Sequence, residues 1–206
     1  MITANIATIP NRKDMLLMAY NSIVNQVDEI YINTGIDNMG DGEKFKYIHK
    51  QEGYIFTCDD DIIYPPDYVT EMIDHIERFK RSAIVTLHGR TFDKFPIASY
   101  YRGRKQGYHW NKDQDFDVPV DSGGTGVMAW HSDTIKIDYK DIKHPNMGDV
   151  WMAVFARRAG IPIICVKHKA DWLKYIGPPE DMENPKTIWS KHYNSDKIQT
   201  QIYNGC

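Results

Sequence analysis

Three adjacent aspartates, Asp59, Asp60 and Asp61, directly follow the apolar run Tyr54–Cys58. Neighbouring carboxylates repel one another, so a predicted strand that ends in three of them needs a reason. In open α/β sheets the carboxyl ends of strands are where ligands bind. Mg²⁺ and Mn²⁺ prefer oxygen ligands, commonly one or two carboxylates completed by water and phosphate. Asp59 and Asp61 are therefore predicted to bind a divalent cation and its partners; the alternative is a solvated acidic turn.

A second acidic candidate is Asp149, which follows Pro145-Asn146-Met147-Gly148 at the start of a predicted helix. An aspartate in this place can cap the helix N-terminus. A carboxylate can also remove the proton from a hydroxyl that becomes acidic late in a reaction. The residues alone do not separate these two roles, and one side chain can serve both.

Two further segments have a composition that admits a binding role. Asp121–Gly126 is rich in glycine, but a strand is predicted after it, so a tight strand connection is as good an interpretation as close approach of the backbone to a ligand. The aromatic stretch 100–110 can stack on a sugar or cover the core. It also contains a small basic patch that can meet phosphate or lie in solvent, formed by Arg102, Arg104 and Lys105.

The elements that must position these residues alternate between short apolar runs and segments with helical periodicity. This pattern is typical of an α/β fold with a mostly parallel sheet. Strands are predicted at Ile2–Thr8, Glu29–Asn33, Tyr54–Cys58, Ala83–Leu87, Gly126–Trp130 and Ile161–Val166. Helices are predicted from Asn11, from Pro65, over Asp149–Ala159 and, shorter, over 186–193. The stretch 88–118 shows little periodicity, and no linker divides the chain.

Composition narrows the class of protein. The chain has 206 residues, 42% of them hydrophobic, and a formal net charge of -3, which argues against a nucleic-acid binder with its basic stripe. No signal peptide and no run of roughly 18 apolar residues is present, so we expect a soluble cytoplasmic protein without a membrane span. The three unclustered cysteines indicate free thiols rather than a disulfide framework. The ending at Asn204-Gly205-Cys206 leaves open that further domains follow in a longer protein.

Several segments, in this order along the chain, resemble the GT-A glycosyltransferases. They are Ala7-Thr8-Ile9-Pro10-Asn11-Arg12, Ser22-Ile23-Val24-Asn25-Gln26, Asp59-Asp60-Asp61, Gly148-Asp149-Val150-Trp151 and Arg158-Ala159-Gly160-Ile161-Pro162. The resemblance covers most of the chain except about 88–118, and more narrowly the chain looks like the N-terminal glycosyltransferase domain of a multidomain viral protein. It implies a single Rossmann-like GT-A domain over 1–206. The nucleotide-binding half would be about 1–90 and the acceptor-binding half about 91–206.

The resemblance assigns the donor site to the first half. Asp59 and Asp61 would be the DxD pair that binds Mn²⁺ or Mg²⁺, with Asp59 and Asp60 also facing the donor. Thr8, Arg12 and Asn33 would line the nucleotide. The usual family member has an aspartate where Asn33-Thr34-Gly35 stands here, with Asp37 slightly later. This chain therefore departs from the family at the contacts to the base, on which the expected uridine preference depends.

The resemblance assigns three further roles in the second half. Asp149 would be the residue that activates the acceptor hydroxyl if the reaction inverts the anomeric centre, or would orient the sugar if it retains configuration. His168, after the last predicted strand, would complete the metal site, with His192 as the alternative.

The expected reaction is therefore transfer of a hexose from a nucleoside diphosphate sugar, expected to be UDP-linked, to a hydroxyl of a sugar or glycan. One alternative is a sugar nucleotidyltransferase, although Ala7–Arg12 lacks the glycine-rich basic signature of that class. The other is a non-catalytic carbohydrate-binding domain with the same fold.

Overall fold

The computed structural model describes residues 1–35, 39–177 and 196–205. The predicted helix over 186–193, the alternative metal ligand His192 and Asp37 lie outside the described residues.

Twelve strands are described, and seven of them form the central sheet. In chain order the strands are β1 Ile2–Ala7, β2 Glu29–Asn33, β3 Tyr54–Asp59, β4 Ile62–Ile63, β5 Ile84–Thr86, β6 Gly89–Phe92, β7 Arg104–Tyr108, β8 Val118–Val120, β9 Ser122–Gly123, β10 Val127–His131, β11 Ile163–Cys165 and β12 Lys174–Tyr175. The order across the central sheet is β2-β1-β3-β10-β5-β11-β8.

The central sheet is mixed and mostly parallel. Strands β2, β1, β3, β5 and β11 run in one direction, whereas β10, between β3 and β5, and β8, at the edge, run in the opposite direction. The predicted α/β class, with a mostly parallel sheet flanked by helices, is confirmed. Strands from both predicted halves of the chain lie in this one sheet.

Helices cover both faces of the sheet: α1 Lys13–Ile23, α2 Tyr68–Arg78, α3 Gly148–Ala159 and α4 Lys197–Asn204. One apolar cluster joins the sheet to α2 and the end of α1, and a second joins it to α3 and α4. Successive strand residues feed opposite clusters, as the period of two requires. Ile55 packs in the α3 cluster, and its neighbour Phe56 packs in the α2 cluster.

Local sequence predicts the start of α2 but not that of α1, and helix α4 was not predicted. Helix α2 follows Pro65-Pro66-Asp67, and its buried positions include the predicted Val69, Met72 and Ile76. Asn11 was expected to start α1, but residues Pro10–Arg12 form a short 3₁₀ turn and α1 begins only at Lys13, without a side-chain cap. None of the described helices is long and apolar enough to cross a membrane.

The stretch 88–118 is more regular than its sequence indicates. It contains β6 and β7, which pair as an antiparallel hairpin, and β9 joins them in a separate three-stranded sheet. Its periodicity is hard to recognise because β7 is exposed on both faces except at its last residue. Asp121–Gly126 is a tight strand connection that includes β9.

Helix α3 ends in a glycine that fixes its direction. Gly160 has φ 68°. Its N–H bonds to the carbonyl of Arg157 at 3.1 Å, and the N–H of Ile161 bonds to that of Ala156 at 2.9 Å. This pair of bonds is the Schellman arrangement, which requires left-handed backbone at the glycine.

We expect Gly160→Ala to lower the free energy of unfolding by about 1 kcal/mol, because a Cβ is strained at this φ. Gly160→Asn should cost less, since asparagine tolerates left-handed backbone. Urea denaturation of the two variants measures both values. Equal stability of Gly160→Ala and the wild type would contradict the assignment.

Candidate functional site

The carboxyl ends of three parallel strands meet at one edge of the central sheet. In the strand register, Ala7 lies opposite both Asn33 and Asp59. The N–H of Thr8 then bonds to the carbonyl of Asn33 at 2.9 Å. The first predicted donor-site residues are therefore brought together as the sequence indicates.

Asp60 is the buried member of the acidic triplet. Its carboxylate accepts a hydrogen bond from Oγ1 of Thr8 at 2.6 Å and another from the guanidinium of Arg12 at 2.6 Å. The same guanidinium contacts Asp61 at 3.3 Å. Arg12 thus neutralises part of the charge of the triplet, and Thr8 ties the end of β1 to the turn after β3.

Asp59 is held from two sides. Oδ1 forms an ion pair with the ammonium of Lys44, and the carboxylate lies directly against Gly126, where any side chain would overlap it. The backbone of Asp59 is fixed as well, since its N–H bonds to the hydroxyl of Tyr64 at 2.8 Å, and that hydroxyl bonds to the carbonyl of Gly126 at 2.7 Å.

Lys44 is a site residue that the sequence analysis missed. It lies in a 3₁₀ helix, Gly40–Phe45, and its side chain is only 2% exposed. The segment Asp41-Gly42-Glu43-Lys44 reads as an ordinary charged turn, and nothing in its spacing predicts a buried ammonium.

Asp149 is not the N-cap of α3. Its Oδ1 accepts two hydrogen bonds from Thr125, from the N–H and from Oγ1, each at 2.7 Å. The backbone N–H at the N-terminus of α3 is instead satisfied by Asp41, whose carboxylate accepts a hydrogen bond from Gly148 at 3.0 Å. Asp149 is thereby fixed to the loop before β10 and remains partly exposed.

Asp59 and Asp149 converge although 90 positions separate them in the chain. Asp149 bonds to Thr125, and Asp59 packs on the next residue, Gly126. The loop before β10 therefore carries both contacts, because β10 runs antiparallel and begins at the edge where β3 ends.

The electrostatics of this site are dominated by one buried cation. Burial alone would lower the pKa of the Lys44 ammonium, but the negative charges of Asp59, Asp41 and Asp149 raise it. Burial raises the pKa of Asp41 to about 7 against the opposing charge of Lys44, and Asp149 and Asp59 add to the rise. Burial and the charge of Asp59 also raise the pKa of Asp61 to about 7 despite Arg12. The carboxylates at this edge of the sheet therefore outnumber the cations Lys44 and Arg12.

The donor set fits a hard divalent cation held partly by its substrate. Asp59 and Asp61 supply only oxygen, and their charges act on each other. Within residues 1–35, 39–177 and 196–205, no group of three or more His, Cys, Asp and Glu side chains is arranged to hold a metal. Two carboxylates completed by water are therefore the coordination that these residues could offer, which is common for Mg²⁺.

The predicted metal ligand His168 is buried, and both of its ring nitrogens lie near backbone carbonyls. One ring nitrogen lies 2.7 Å from the carbonyl oxygen of Val166 and the other 3.4 Å from that of His109. Both nitrogens thus face backbone, so metal binding would require this ring to exchange a partner. The role of His168 stays a prediction.

Asn33 carries an unused donor at the predicted nucleotide site. The residue is 6% exposed, and no hydrogen-bond partner of its Nδ2 is found among the described residues. A buried amide without a partner costs free energy, so such a group often bonds to a ligand. A base carbonyl would satisfy it.

Comparison with known proteins gives no family. No family model and no curated protein matches the chain. Among solved structures, the crystal structure of A197 from STIV matches with a TM-score of 0.42 and 14% sequence identity, over 84% of each chain.

Asp41 gives a stability prediction with a definite sign. Its pKa is raised in the folded protein, so it contributes stability at low pH that is lost as the pH rises from about 4 to about 7. Asp41→Asn keeps an acceptor for the N–H of Gly148 but does not titrate. We expect the wild type to lose on the order of 4 kcal/mol relative to Asp41→Asn across this range.

Urea denaturation in metal-free buffer at pH 4.5, 6 and 8 measures this difference. Asp14→Asn, on the exposed first turn of α1, is the matched control and should follow the wild type. A constant difference between wild type and Asp41→Asn at all three pH values would show that Asp41 ionises normally.

Proposed function

We propose that the chain is a metal-dependent glycosyltransferase that moves a hexose from a nucleoside diphosphate sugar to a hydroxyl of a sugar or glycan. The observation that carries this proposal is the meeting of Asp59 and Asp149 at the adjacent residues Thr125 and Gly126. A site for the diphosphate and a carboxylate for the acceptor are then within reach of one substrate.

The donor side is supported by charge and by unused hydrogen-bonding capacity. The surplus of carboxylates at the end of β3 favours a cation, and a cation there can bridge to a diphosphate. Thr8 and Asn33 lie beside it at the ends of β1 and β2, where the buried Nδ2 of Asn33 can donate to a base carbonyl. Uridine, whose base offers such carbonyls, is the nucleoside that we expect.

The acceptor side is supported by the geometry of Asp149. Both of its hydrogen bonds end on Oδ1, so Thr125 fixes the carboxylate while Oδ2 remains the oxygen for proton transfer. As the acceptor oxygen bonds to the anomeric carbon, the bond from that carbon to the diphosphate breaks and Asp149 takes the hydroxyl proton. A bound divalent cation would neutralise the departing diphosphate. Asp149 has this role if the configuration inverts and an orienting one if it is retained.

The donor site is tested by calorimetric titration of UDP and UDP-glucose, with Mn²⁺ and with EDTA. We expect metal-dependent binding that Asp61→Asn weakens by about tenfold or more, because a charged contact is lost. Asp74→Asn, on the exposed face of α2, removes the same charge elsewhere and should bind like the wild type.

Two results would contradict this assignment. A folded protein that binds none of UDP, GDP, CDP and dTDP is not a nucleotide-sugar transferase. Equal binding in Mn²⁺ and in EDTA would remove the metal from the proposal. In the turnover assay, release of pyrophosphate in place of UDP would indicate a nucleotidyltransferase.

The variant Asp149→Asn tests whether Asp149 acts in the transfer step or in the binding of the nucleotide. Asparagine keeps an acceptor for Thr125 but cannot take a proton, so kcat should fall by about 10²–10⁴ while the Kd of UDP stays unchanged. Release of UDP measures kcat, and calorimetry measures Kd. An unchanged kcat would show that Asp149 is not the base.

A further inference from the structure

A buried arginine without a carboxylate partner among the described residues lies in β6. Arg90 is 8% exposed, and its guanidinium donates one long hydrogen bond, 3.4 Å, to the carbonyl of Tyr100. Its other close neighbours are the rings of Tyr100 and Tyr101, whose centroids are 4.7 and 5.2 Å away. A guanidinium has five N–H donors and stays charged, so the described part of the chain leaves most of the hydrogen-bonding capacity of Arg90 unused.

A second arginine lies on the same face of the small sheet. Gly107 of β7 is the strand partner of Arg90, and side chains of directly paired residues share a face. The position of the missing Cβ of Gly107 is 3.8 Å from Cδ and Nε of Arg104 and 3.9 Å from its Cζ. The side chain of Arg104 therefore folds over the glycine that faces Arg90, and a larger residue at 107 would displace it.

Neither arginine is neutralised by the part of the chain that the structure describes. The ion pairs among residues 1–35, 39–177 and 196–205 include no carboxylate for Arg90 or Arg104. Burial holds the pKa of His88 well below its ordinary value, and His109, Arg90 and Arg104 act in the same direction, so both arginines lie near this ring. Two like charges and a buried, unpaired guanidinium are unfavourable unless an anion joins them.

This electropositive face borders the candidate base. Strand β6 pairs with β9, which places Arg90 opposite Ser122, and the hydroxyl of Ser122 lies 2.6 Å from that of Tyr100. His88 bonds through its carbonyl to the N–H of Gly124 at 2.8 Å. The next residue is Thr125, which holds Asp149. One short segment thus connects the two arginines to the carboxylate.

We propose that Arg90 and Arg104 form a binding subsite for an anionic group carried by the acceptor, a carboxylate or a phosphate. A guanidinium matches the geometry of either group through paired N–H donors. The subsite rests on the proposed function only in calling its ligand the acceptor, because anion binding at this face can be measured without turnover. It would hold an acidic or phosphorylated sugar with a hydroxyl directed to Asp149.

The test uses three p-nitrophenyl β-glucosides that differ only at C6: hydroxymethyl, carboxylate and phosphomonoester. We expect the two charged glycosides to bind at least about tenfold more tightly than the neutral one, and the charged pair to show which anion is preferred. Calorimetry or ligand-observed NMR measures Kd, with UDP titrated into the same preparations.

Arg104→Gln should abolish the preference for charged glycosides and leave the Kd of UDP unchanged. Arg104 is exposed, so this variant is expected to fold; Arg90→Gln is the second variant, with circular dichroism to confirm its fold. Lys105→Gln is the matched control. Lys105 is adjacent in β7 and also exposed, but its ammonium already pairs with Asp93 at 3.5 Å.

The outcomes separate this inference from the proposed function. A wild type that binds UDP but binds the neutral and charged glycosides equally, or binds none of them, overturns the anion subsite and leaves the donor site standing. Selective binding of charged glycosides that is lost in Arg104→Gln and kept in Lys105→Gln supports the subsite, even in a protein that fails to bind UDP. Equal loss in Lys105→Gln overturns it, since general charge would then be the cause.

Discussion

The buried ammonium of Lys44 is the interaction on which the candidate site depends. It is paired with Asp59, and the charges of Asp41 and Asp149 also act on it. Without this cation, the carboxylates would face one another in a poorly solvated space, and their repulsion would move at least one of them away. The 3₁₀ helix Gly40–Phe45 therefore has a structural task beyond linking two strands. It connects the end of β3 to the start of α3, where Asp41 bonds to the backbone of Gly148.

Much of the fold was predictable because it depends on local pattern. Strand β2 has the predicted bounds, and β1, β3, β5 and β11 differ only at their ends. An apolar run that lies between turn residues marks where a strand begins and ends. The helical spacing of the buried residues in α2 was also predicted. By contrast, β6 and β7 were missed because β7 is exposed along most of its length and neither strand has an alternating apolar face.

The site was predictable where residues follow strands and unpredictable where they depend on tertiary contact. Asp59 and Thr8 could be placed because parallel strands end at a common edge. Lys44 could not, since a lysine in a charged turn is ordinarily solvated, and only the fold reveals that it is buried. The partner of Asp149 was also hidden: a helix-start aspartate predicts a cap, but Asp41 already occupies that role.

The central sheet has one consequence for how the protein can change. Strand β5 ends at the same edge where the antiparallel β10 begins. Between them the chain leaves the sheet, adds the edge strand β8 to it, and then returns beside its point of departure. This excursion, 87–126, carries the small sheet and its arginines, whereas the acidic turn belongs to β3. This segment therefore begins and ends at two neighbouring strands, β5 and β10. A change in the length of its loops would leave unchanged the register of β1, β2 and β3, which brings Asn33 and Asp59 together.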